Sequence, residues 1–492
     1  MKTFSLDDTI AAIATPLGEG GVGIVKLSGP EAGSVLRQLF IPAVSSDSTR
    51  LARLEPRRLT FGHIRDPQTG EVVDEVLAVT MPAPHSYTRQ DVVEIQAHGG
   101  IMPLRRILRL TLAAGARPAE PGEMTLRAFV NGRLDLAQAE AVLDVVQART
   151  EAALRVATEQ LGGVLSAQVR AVRARLVDVL AYLEASIDFV EDEIPPQEVA
   201  VPLQEVAAAL EAILATADRG LIYRQGIRAA IVGRPNVGKS SLLNALLRGE
   251  RAIVTPIPGT TRDTLEETAN VQGVPLVLVD TAGIRAEPGD EVERLGVGRS
   301  RAALTRADLA LWVVDGSQPL TDADRDIAAL VGDKPALVVV NKCDLLAHPH
   351  PSPLPGGEGA NPPFSSPKGR GKGGGGKGEG SDPLLPTARR CYVSALTGQG
   401  VEALEEAIVE LVLGGRVTTA DTPLVSNPRH QASLGRALDH VRAAEQAQRG
   451  GVSADLVAID IREAVDVLGE ITGETASEDL LEVIFSKFCI GK

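Results

Sequence analysis

Aromatic side chains make up only 3% of this 492-residue chain, and there is a single tryptophan. Cores built without rings must rest on Leu, Val, Ile and Ala, held by many small dispersion contacts. Cysteine is scarce too. Cys343, Cys391 and Cys489 are too few and too scattered for a disulfide framework or a cysteine zinc site, which fits a reducing, cytoplasmic setting. No run approaches the ~18 apolar residues of a membrane span, so none is expected. The opening stretch MKTFSLDDTIAAIATP has no basic flank followed by a long apolar core, so no signal peptide is expected. Basic charge is also short: 50 Lys and Arg against 64 Asp and Glu give a formal net charge of −14. That excludes broad electrostatic coating of a nucleic acid. A local basic patch, or a partner that carries the RNA, remains compatible. The 44% hydrophobic and 23% charged residues are ordinary for globular protein, and the length fits roughly two to four domains.

What is present centres on residues 228 to 246, RAAIVGRPNVGKSSLLNAL. Ala229 to Val232 read as a buried strand. GRPNVGKS, from Gly233 to Ser240, matches G-x-x-x-x-G-K-[ST], and Leu242, Leu243 and Leu246 begin a helical pattern. Strand, loop and helix in this order form the context of a phosphate-binding loop. Gly233 and Gly238 free the backbone to aim N–H groups at phosphate oxygens, and the new helix adds the positive end of its dipole. Asn236, Val237, Gly238, Lys239, Ser240 and Ser241 are expected to contact the nucleotide. Lys239 should reach the β- and γ-phosphates, as a catalytic residue, and Ser240 should ligate Mg²⁺.

Three further motifs follow, each after an apolar strand-like run. Asp280-Thr281-Ala282-Gly283 follows Leu276 to Val279; an acid there can hold Mg²⁺ through water, and the Gly283 N–H can sense a γ-phosphate. Asn341-Lys342-Cys343-Asp344 follows Ala336 to Val340. The Asp344 carboxylate can accept from guanine N1–H and the 2-amino group, donors that adenine lacks, so this motif selects GTP over ATP. Ser394-Ala395-Leu396 follows Cys391 to Val393, and a backbone N–H there can meet guanine O6. Four motifs in this order at strand ends predict GTP binding by a mostly parallel sheet with helices on both faces. The loop from Ala252 to Asp263 is the expected switch segment, where Thr255, Thr260 and Thr261 contact GTP and Thr261 supplies the second hydroxyl to Mg²⁺. Where many small GTPases place a glutamine after the DxxG glycine, this chain has Ile284, so water must be positioned from elsewhere. Glu287, Asp290, Glu291 and Glu293 follow closely.

The flanks read more plainly. Residues 1 to 130 form a mixed α/β region, with strands at Val22 to Leu27, Glu71 to Met81 and Asp91 to Gln96 and a helix from Met102 to Ala113. Gly18 to Gly21 and Gly99-Gly100 read as turns, and His98 as a turn or cap residue. From 134 to about 190, Leu165, Val169, Val172, Leu176, Val179, Leu180, Leu183 and Ile187 mark one helix face; residues 202 to 216 give another amphipathic helix. Helices return after 415: Leu434, Leu438 and Val441 share a face, Leu456, Ile461, Ala464 and Leu468 mark a second helix, and Asp479 to Phe488 a third. The similar helical flanks suggest one helical domain interrupted by the nucleotide region. Residues 348 to 386, rich in Gly, Pro, Ser and Lys, read as a disordered surface insertion.

Beyond the nucleotide motifs, DTIAAIATPLGEGGVGIVKLSG, SYTRQDVVEIQAHGG, ARPAEPGEMTLRAFVNGRLDLAQAEAVLDVV, VTPIPGTTRD, DTAGIR with EVERLGV, and the terminal FCIGK together resemble the MnmE (TrmE) family of tRNA-modifying GTPases over nearly the whole chain. The resemblance implies an N-terminal tetrahydrofolate-binding and dimerisation domain (1–130). It also implies a helical domain in two parts (131–220 and 415–492) and an inserted Ras-like P-loop G domain (221–414). It implies a GTPase that, with the FAD-containing flavoprotein MnmG, modifies C5 of the wobble uridine, position 34, of certain tRNAs to an aminomethyl or carboxymethylaminomethyl form. A folate, as the 5-formyl or methylene derivative, supplies the carbon. A homodimer, and a heterotetramer with MnmG, are implied.

The family's residues carry over where motifs match. Asn236, with Thr255, Ile257 and Thr260, matches its potassium site, which places positive charge near the β–γ bridge. Glu293 matches its water-orienting catalytic glutamate. Lys26, Glu94, Arg133 and Lys492 map to the folate site, Lys26 and Arg133 suiting its carboxylates. Cys489 lies in the terminal C-x-G-K motif; we expect a small buried residue that places the tail, with a covalent role as the alternative. A regulatory GTPase of the Era or Der type is the rival reading, but those add a basic RNA-binding domain where this chain has helices with many acids.

Overall fold

A computed structural model describes residues 7–43, 54–188, 198–248, 267–279, 301–346, 388–414 and 425–491. Two compact units emerge. The first comprises residues 1–148, 154–221 and 422–492; the second comprises 149–153 and 222–421.

The first unit opens with β1 (Ile10–Ile13), β2 (Gly20–Ser28), α1 (Ala32–Leu39), β3 (Phe40–Pro42), β4 (Thr60–Arg65), β5 (Val72–Met81), β6 (Val92–Gly99), α2 (Ile101–Ala113) and β7 (Arg117–Pro118). The strands form one sheet in the order β3-β4-β5-β6-β2-β1-β7, antiparallel except for β1 beside β7. Alternation sends Val25, Leu27, Ile64, Val76, Ala78, Val93 and Ile95 to the face packed by α1 and α2. The opposite face carries Lys26 beside Glu94 and Ile24 beside Gln96 in register. β1, β3, β4 and β7 escape the sequence reading. They are short or flank the sheet, and short runs carry too few residues to show a period.

Next come α3 (Glu123–Val130), α4 (Leu136–Gln147), α5 (Glu151–Leu161), α6 (Val164–Asp188), α7 (Ala200–Leu214) and α8 (Ala217–Gln225). Asp135 caps α4 in a reciprocal capping box with Gln138. The fully buried Arg127 on α3 donates to Glu123 at 3.0 Å, to the Asp8 carbonyl at 2.9 Å and to the Asp8 carboxylate. A buried guanidinium needs such partners to offset its lost hydration.

The second unit holds β8 (Ile227–Val232), α9 (Lys239–Arg248), β9 (Glu267–Val271), β10 (Val274–Leu278), β11 (Leu309–Asp315), α10 (Asp322–Val331), β12 (Ala336–Asn341), β13 (Arg389–Tyr392) and α11 (Val401–Leu413). Its sheet runs β13-β12-β11-β8-β10-β9, parallel except for the β9–β10 hairpin. Both faces are covered. Ala229, Ile231, Leu311 and Val339 pack one core with α9 and α11, while Ala230, Val232, Trp312 and Val340 pack the other with α10. Burial on both faces explains why these strands read as unbroken apolar runs.

The chain returns to the first unit with α12 (Pro428–Arg449), α13 (Ala454–Thr472) and α14 (Glu478–Phe485). One core joins Leu165, Val169, Val172, Leu176, Val179 and Leu183 of α6 to Leu203 and Leu210 of α7, Leu434 and Val441 of α12, and Ile461 and Leu468 of α13. Helices on both sides of the nucleotide region thus share one interior. Two residues assigned to apolar faces lie outside it: Ile187, at the end of α6, and Leu456, in the first turn of α13, are exposed. Helix ends overhang a core, so their periodic positions face solvent. Taken together, residues 200–225 are by length and composition apolar enough to span a membrane, with a mean hydropathy of 1.3, although the sequence shows no unbroken apolar run there. Leu203, Val206, Leu210 and Ile213 turn that apolarity into the shared core.

Candidate nucleotide and folate sites

In the second unit the carboxyl ends of β8, β12 and β13 converge, because the strand order sets β12 between β13 and β11 and β8 next to β11. Such ends are where parallel sheets bind ligands. The loop from β8 to α9 is tightly constrained. At Gly238 φ is +98°, and a Cβ there would lie 2.1 Å from Asn341 Nδ2. Only glycine fits. Asn236 sits exposed in the same loop with φ at +64°, a conformation asparagine tolerates better than most residues. Lys239 Nζ donates to the carbonyls of Gly233 (2.7 Å) and Arg234 (2.8 Å). Burial holds this ammonium below its usual pKa. An incoming phosphate would supply the missing counter-charge and restore it. Ser240 and Ser241 stand exposed in the first turn of α9, where N–H groups and the helix dipole favour anions.

Asn341 ends β12 and is buried. Its Nδ2 donates to the Val237 carbonyl at 2.8 Å, and its Oδ1 accepts from Ala395 N–H at 3.0 Å. That second bond claims the N–H expected to meet guanine O6, so a base would have to share or displace it. Ser394 is buried, its Oγ accepting from Thr397 N–H, while Leu396 is exposed beside it. Lys342, in the left-handed region at φ +64°, extends Nζ to Asp315 Oδ2 at 2.7 Å. Burial of Asp315 works against its ionisation, but hydrogen bonds from Lys342 and Ser317 win and hold the carboxyl below its usual range. Asp344 is exposed, free of the sheet's packing. Thr255, Ile257, Thr260, Thr261, Asp280, Thr281, Ala282, Gly283, Glu293, the 348–386 insertion and Lys492 lie outside the described residues.

The first unit holds a separate cavity of about 330 Å³ that brings Lys26, Glu94 and Arg133 together. Lys26 Nζ lies 3.3 Å from Glu94 Oε1, as expected from their paired register on β2 and β6. Tyr87 is the organiser that the sequence reading missed. Arg133 lies over its ring, 4.6 Å from the centroid, and Lys26 5.7 Å from it. The Tyr87 hydroxyl bonds Thr125 Oγ1 at 2.9 Å, and burial pushes its pKa up. Ile24, Val142, Val145, Val146 and Leu161 supply an apolar wall, and Ala14 and Gly491 the rest. The C-terminal tail arrives by an antiparallel bridge between Pro121 and Ile490. Gly491 is pressed against Ile13 and Ala14 so closely that a Cβ would lie 2.6 Å from the Ile13 carbonyl. Cys489 is exposed, against the expectation of a small buried residue. Phe488 and Gly491 are the buried residues of the tail, and Cys489 and Ile490 between them are both exposed.

A second buried cluster was not anticipated. Glu140 of α4 accepts from Asn427 Nδ2 at 2.8 Å and from Arg429 Nη2 at 2.5 Å, and lies 2.8 Å from His430 Nε2. Burial opposes its charge, yet His430 and Arg429 hold its pKa far below the carboxylate range. No periodicity marks such a cluster, because its members lie some 290 residues apart.

The sequence matches two family profiles, one described as the MnmE helical domain over residues 136–489 and one as the GTP-binding protein TrmE N-terminus over residues 9–133. It is 51% identical over 488 residues to a protein of Chloroflexus aurantiacus named tRNA modification GTPase MnmE, covering 99% of this chain and 100% of that one. Proteins of the same name from Roseiflexus castenholzii and Moorella thermoacetica are 52% and 47% identical, covering 99% of this chain in each case and 99% and 100% of their own lengths.

Proposed function

We propose, on the premise that this chain belongs to the MnmE family of tRNA modification GTPases, that it hydrolyses GTP to drive modification of the wobble uridine of tRNA with a folate-borne carbon. The GTPase activity and the role in tRNA modification follow from the family. The alternative of an Era- or Der-type regulator has less support, since identity to tRNA modification GTPases runs through 99% of the chain.

The finer reading rests on the residues. The steric fit of Gly238 against Asn341 and the buried ammonium of Lys239 suit a polyphosphate. Ser240 and Thr261 would hold Mg²⁺, with Asp280 acting through water. Asn236, Thr255, Ile257 and Thr260 would hold K⁺. These ions would supply positive charge where it develops on the phosphates in the transition state. Lys239 orients the β- and γ-phosphates. Asp344 selects guanine, Lys342 flanks it, and Glu293 orients the attacking water in place of Ile284.

The single observation that carries the folate assignment is the cavity shared by Lys26, Glu94, Arg133 and Tyr87. Two cations facing an aromatic ring and an apolar wall suit a flat heterocycle with a carboxylate tail. Lys492 follows Gly491 directly and would add a third cation. The acidic net charge leaves little surface for tRNA, which fits recruitment through a homodimer and the flavoprotein MnmG.

The test is nucleoside mass spectrometry of tRNA from a bacterium lacking its own family member and carrying this gene or its Lys239→Ala variant, with the matching MnmG supplied. The modified wobble uridine should return with the intact gene only. Return with both would sever modification from GTP, and return with neither would overturn the assignment.

A further inference from the structure

Resting on the reading of the β8–α9 loop as a phosphate loop, we propose that residues 315–324, which lead from β11 into α10, form a two-armed brace for the nucleotide site. Asp324 and Arg234 are positioning residues for the phosphate loop, and Asp315 is the positioning residue for the guanine motif. The brace lies wholly within the second unit, and none of the four nucleotide motifs includes it.

The phosphate arm begins with a buried charge. Asp324, in the first turn of α10, is 1% exposed. Its Oδ2 accepts from the N–H and the hydroxyl of Thr321 at 2.9 and 2.8 Å, in the manner of a capping box. A capping box works at the surface with no cation beside it. Here a guanidinium arrives from another element. Arg234 Nε lies 3.4 Å from the same Oδ2, and Arg234 Nη2 donates to Gln318 Oε1 at 3.0 Å. Asp324 Oδ1 is buried without a hydrogen bond, so the carboxylate leans on the charge of Arg234 to offset its lost hydration. Arg234 directly follows the first glycine of the loop, and its carbonyl, with that of Gly233, accepts from Lys239 Nζ. One residue therefore reaches α10 with its side chain and holds the loop's lysine with its backbone. Anchoring the guanidinium limits how far that stretch of loop can shift between one nucleotide and the next.

The guanine arm leaves from the other end. Asp315 closes β11 and is buried. Its Oδ2 accepts from Lys342 Nζ at 2.7 Å, and its Oδ1 accepts from the N–H and the hydroxyl of Ser317 at 3.0 and 2.6 Å. Gly316 N–H donates to the Asn341 carbonyl at 2.8 Å, and a Cβ on Gly316 would lie 3.0 Å from that oxygen. Gln318 N–H donates to the Asp315 carbonyl at 3.3 Å, closing a turn. The residue that meets Lys342 and a residue that meets Arg234 thus stand at the two ends of one turn. Groups fixed before binding lower the ordering cost of the ligand, and this turn fixes both sides of the site at once.

The experiment measures GDP and GMP affinities of the full-length protein, with Mg²⁺ and K⁺, by competition against a fluorescent GDP analogue. GMP carries the guanine but lacks the β-phosphate, so the ratio of the two Kd values isolates the phosphate loop. The native chain should prefer GDP. Arg234→Ala and Asp324→Asn should each weaken GDP about tenfold, the scale of one charge-assisted hydrogen bond, with little change in GMP. The double variant should go no further than the worse single one. Gln318→Ala changes an exposed residue and should move the ratio the same way by less, and Arg234→Lys should recover part of it. These two decide the matter if Asp324→Asn does not fold. Asp315→Asn should weaken both nucleotides equally and keep the native ratio. A lower melting temperature with the native ratio in the Arg234 and Asp324 variants makes the pair merely structural and overturns the proposal, as does an additive double variant. A ratio that moves as far in Asp315→Asn as in Arg234→Ala overturns the division into two arms. A native chain that binds GMP as tightly as GDP overturns instead the phosphate-loop reading.

Discussion

Asn341 holds the Val237 carbonyl at 2.8 Å across 104 residues of sequence. The segment expected to read the base and the loop expected to hold the phosphates are therefore joined by a side chain before any nucleotide arrives. The same amide accepts from Ala395 N–H, so a third segment shares the joint. Preorganisation of this kind lowers the ordering cost of binding.

Asn341→Ala should break both bonds and strand a buried carbonyl and a buried N–H, at about 1–3 kcal/mol each. We expect weaker GDP binding and a lower melting temperature of the ligand-free protein together. Weaker binding with an unchanged melting temperature would mean that Asn341 serves the base alone.

Gly238→Ala would set a methyl 2.1 Å from Asn341 Nδ2 at a φ of +98°. Asn341 is held by a hydrogen bond on each side and cannot yield cheaply, so GDP affinity should fall by more than about tenfold, or 1.4 kcal/mol. Equilibrium dialysis reads this directly, and native affinity would show that the loop relaxes.

In the cavity, Arg133→Ala should cost at least about tenfold in 5-formyltetrahydrofolate affinity, in line with loss of a charge-assisted contact. Tyr87→Phe should cost far less, because the ring under Arg133 remains. Calorimetric titration orders the two variants, and a greater loss for Tyr87→Phe would make the hydroxyl the recognition element.

Glu140 gives a stability prediction with a definite sign. Its folded pKa is depressed, so its contribution is present above the unfolded carboxyl value, about 4.3, and is lost as pH falls below it. Urea midpoints of the native chain should therefore drop between about pH 5 and pH 3. Glu140→Gln should be destabilised at pH 7 by about 3–5 kcal/mol, the cost of breaking a buried ion pair. Its midpoint should also change less over the same interval. Parallel pH profiles would remove Glu140 from the account.

GTP hydrolysis should be markedly faster in KCl than in NaCl at equal ionic strength, through Asn236 and its partners in the switch segment. Glu293→Ala should lose most hydrolysis while binding nucleotide normally. Equal rates in the two salts, or a Glu293 variant that no longer binds, would remove the corresponding assignment.

Much of the GTPase unit was legible in the sequence, because its chemistry restricts residue types locally. A loop that must turn N–H groups inward demands Gly233 and Gly238, and strands covered on both faces read as apolar runs. The α6 face was legible for the same reason, with six of its eight marked residues in the core. Periodicity tells which side of a helix is apolar, not what that side meets. Val142, Val145 and Leu161 lie at the start of the stretch read only as helical, yet they line a cavity. Tyr87 and the Glu140 cluster were silent because each depends on residues brought together only by the fold. Cys489 was misplaced because a small apolar residue in a tail suggests burial, whereas the buried positions of this tail are Phe488 and Gly491.

The seat of Gly491 beside Ile13 and Ala14 also sets an order of assembly during synthesis. The sheet that carries Lys26 and Glu94 leaves the ribosome early, but a wall of its cavity waits for residue 491, after the whole GTPase unit has been made. A ribosome that stalls late would release a chain with every nucleotide motif and an unfinished cavity. Such a fragment would carry the nucleotide motifs and the sheet, but not the piece of cavity wall that Gly491 supplies.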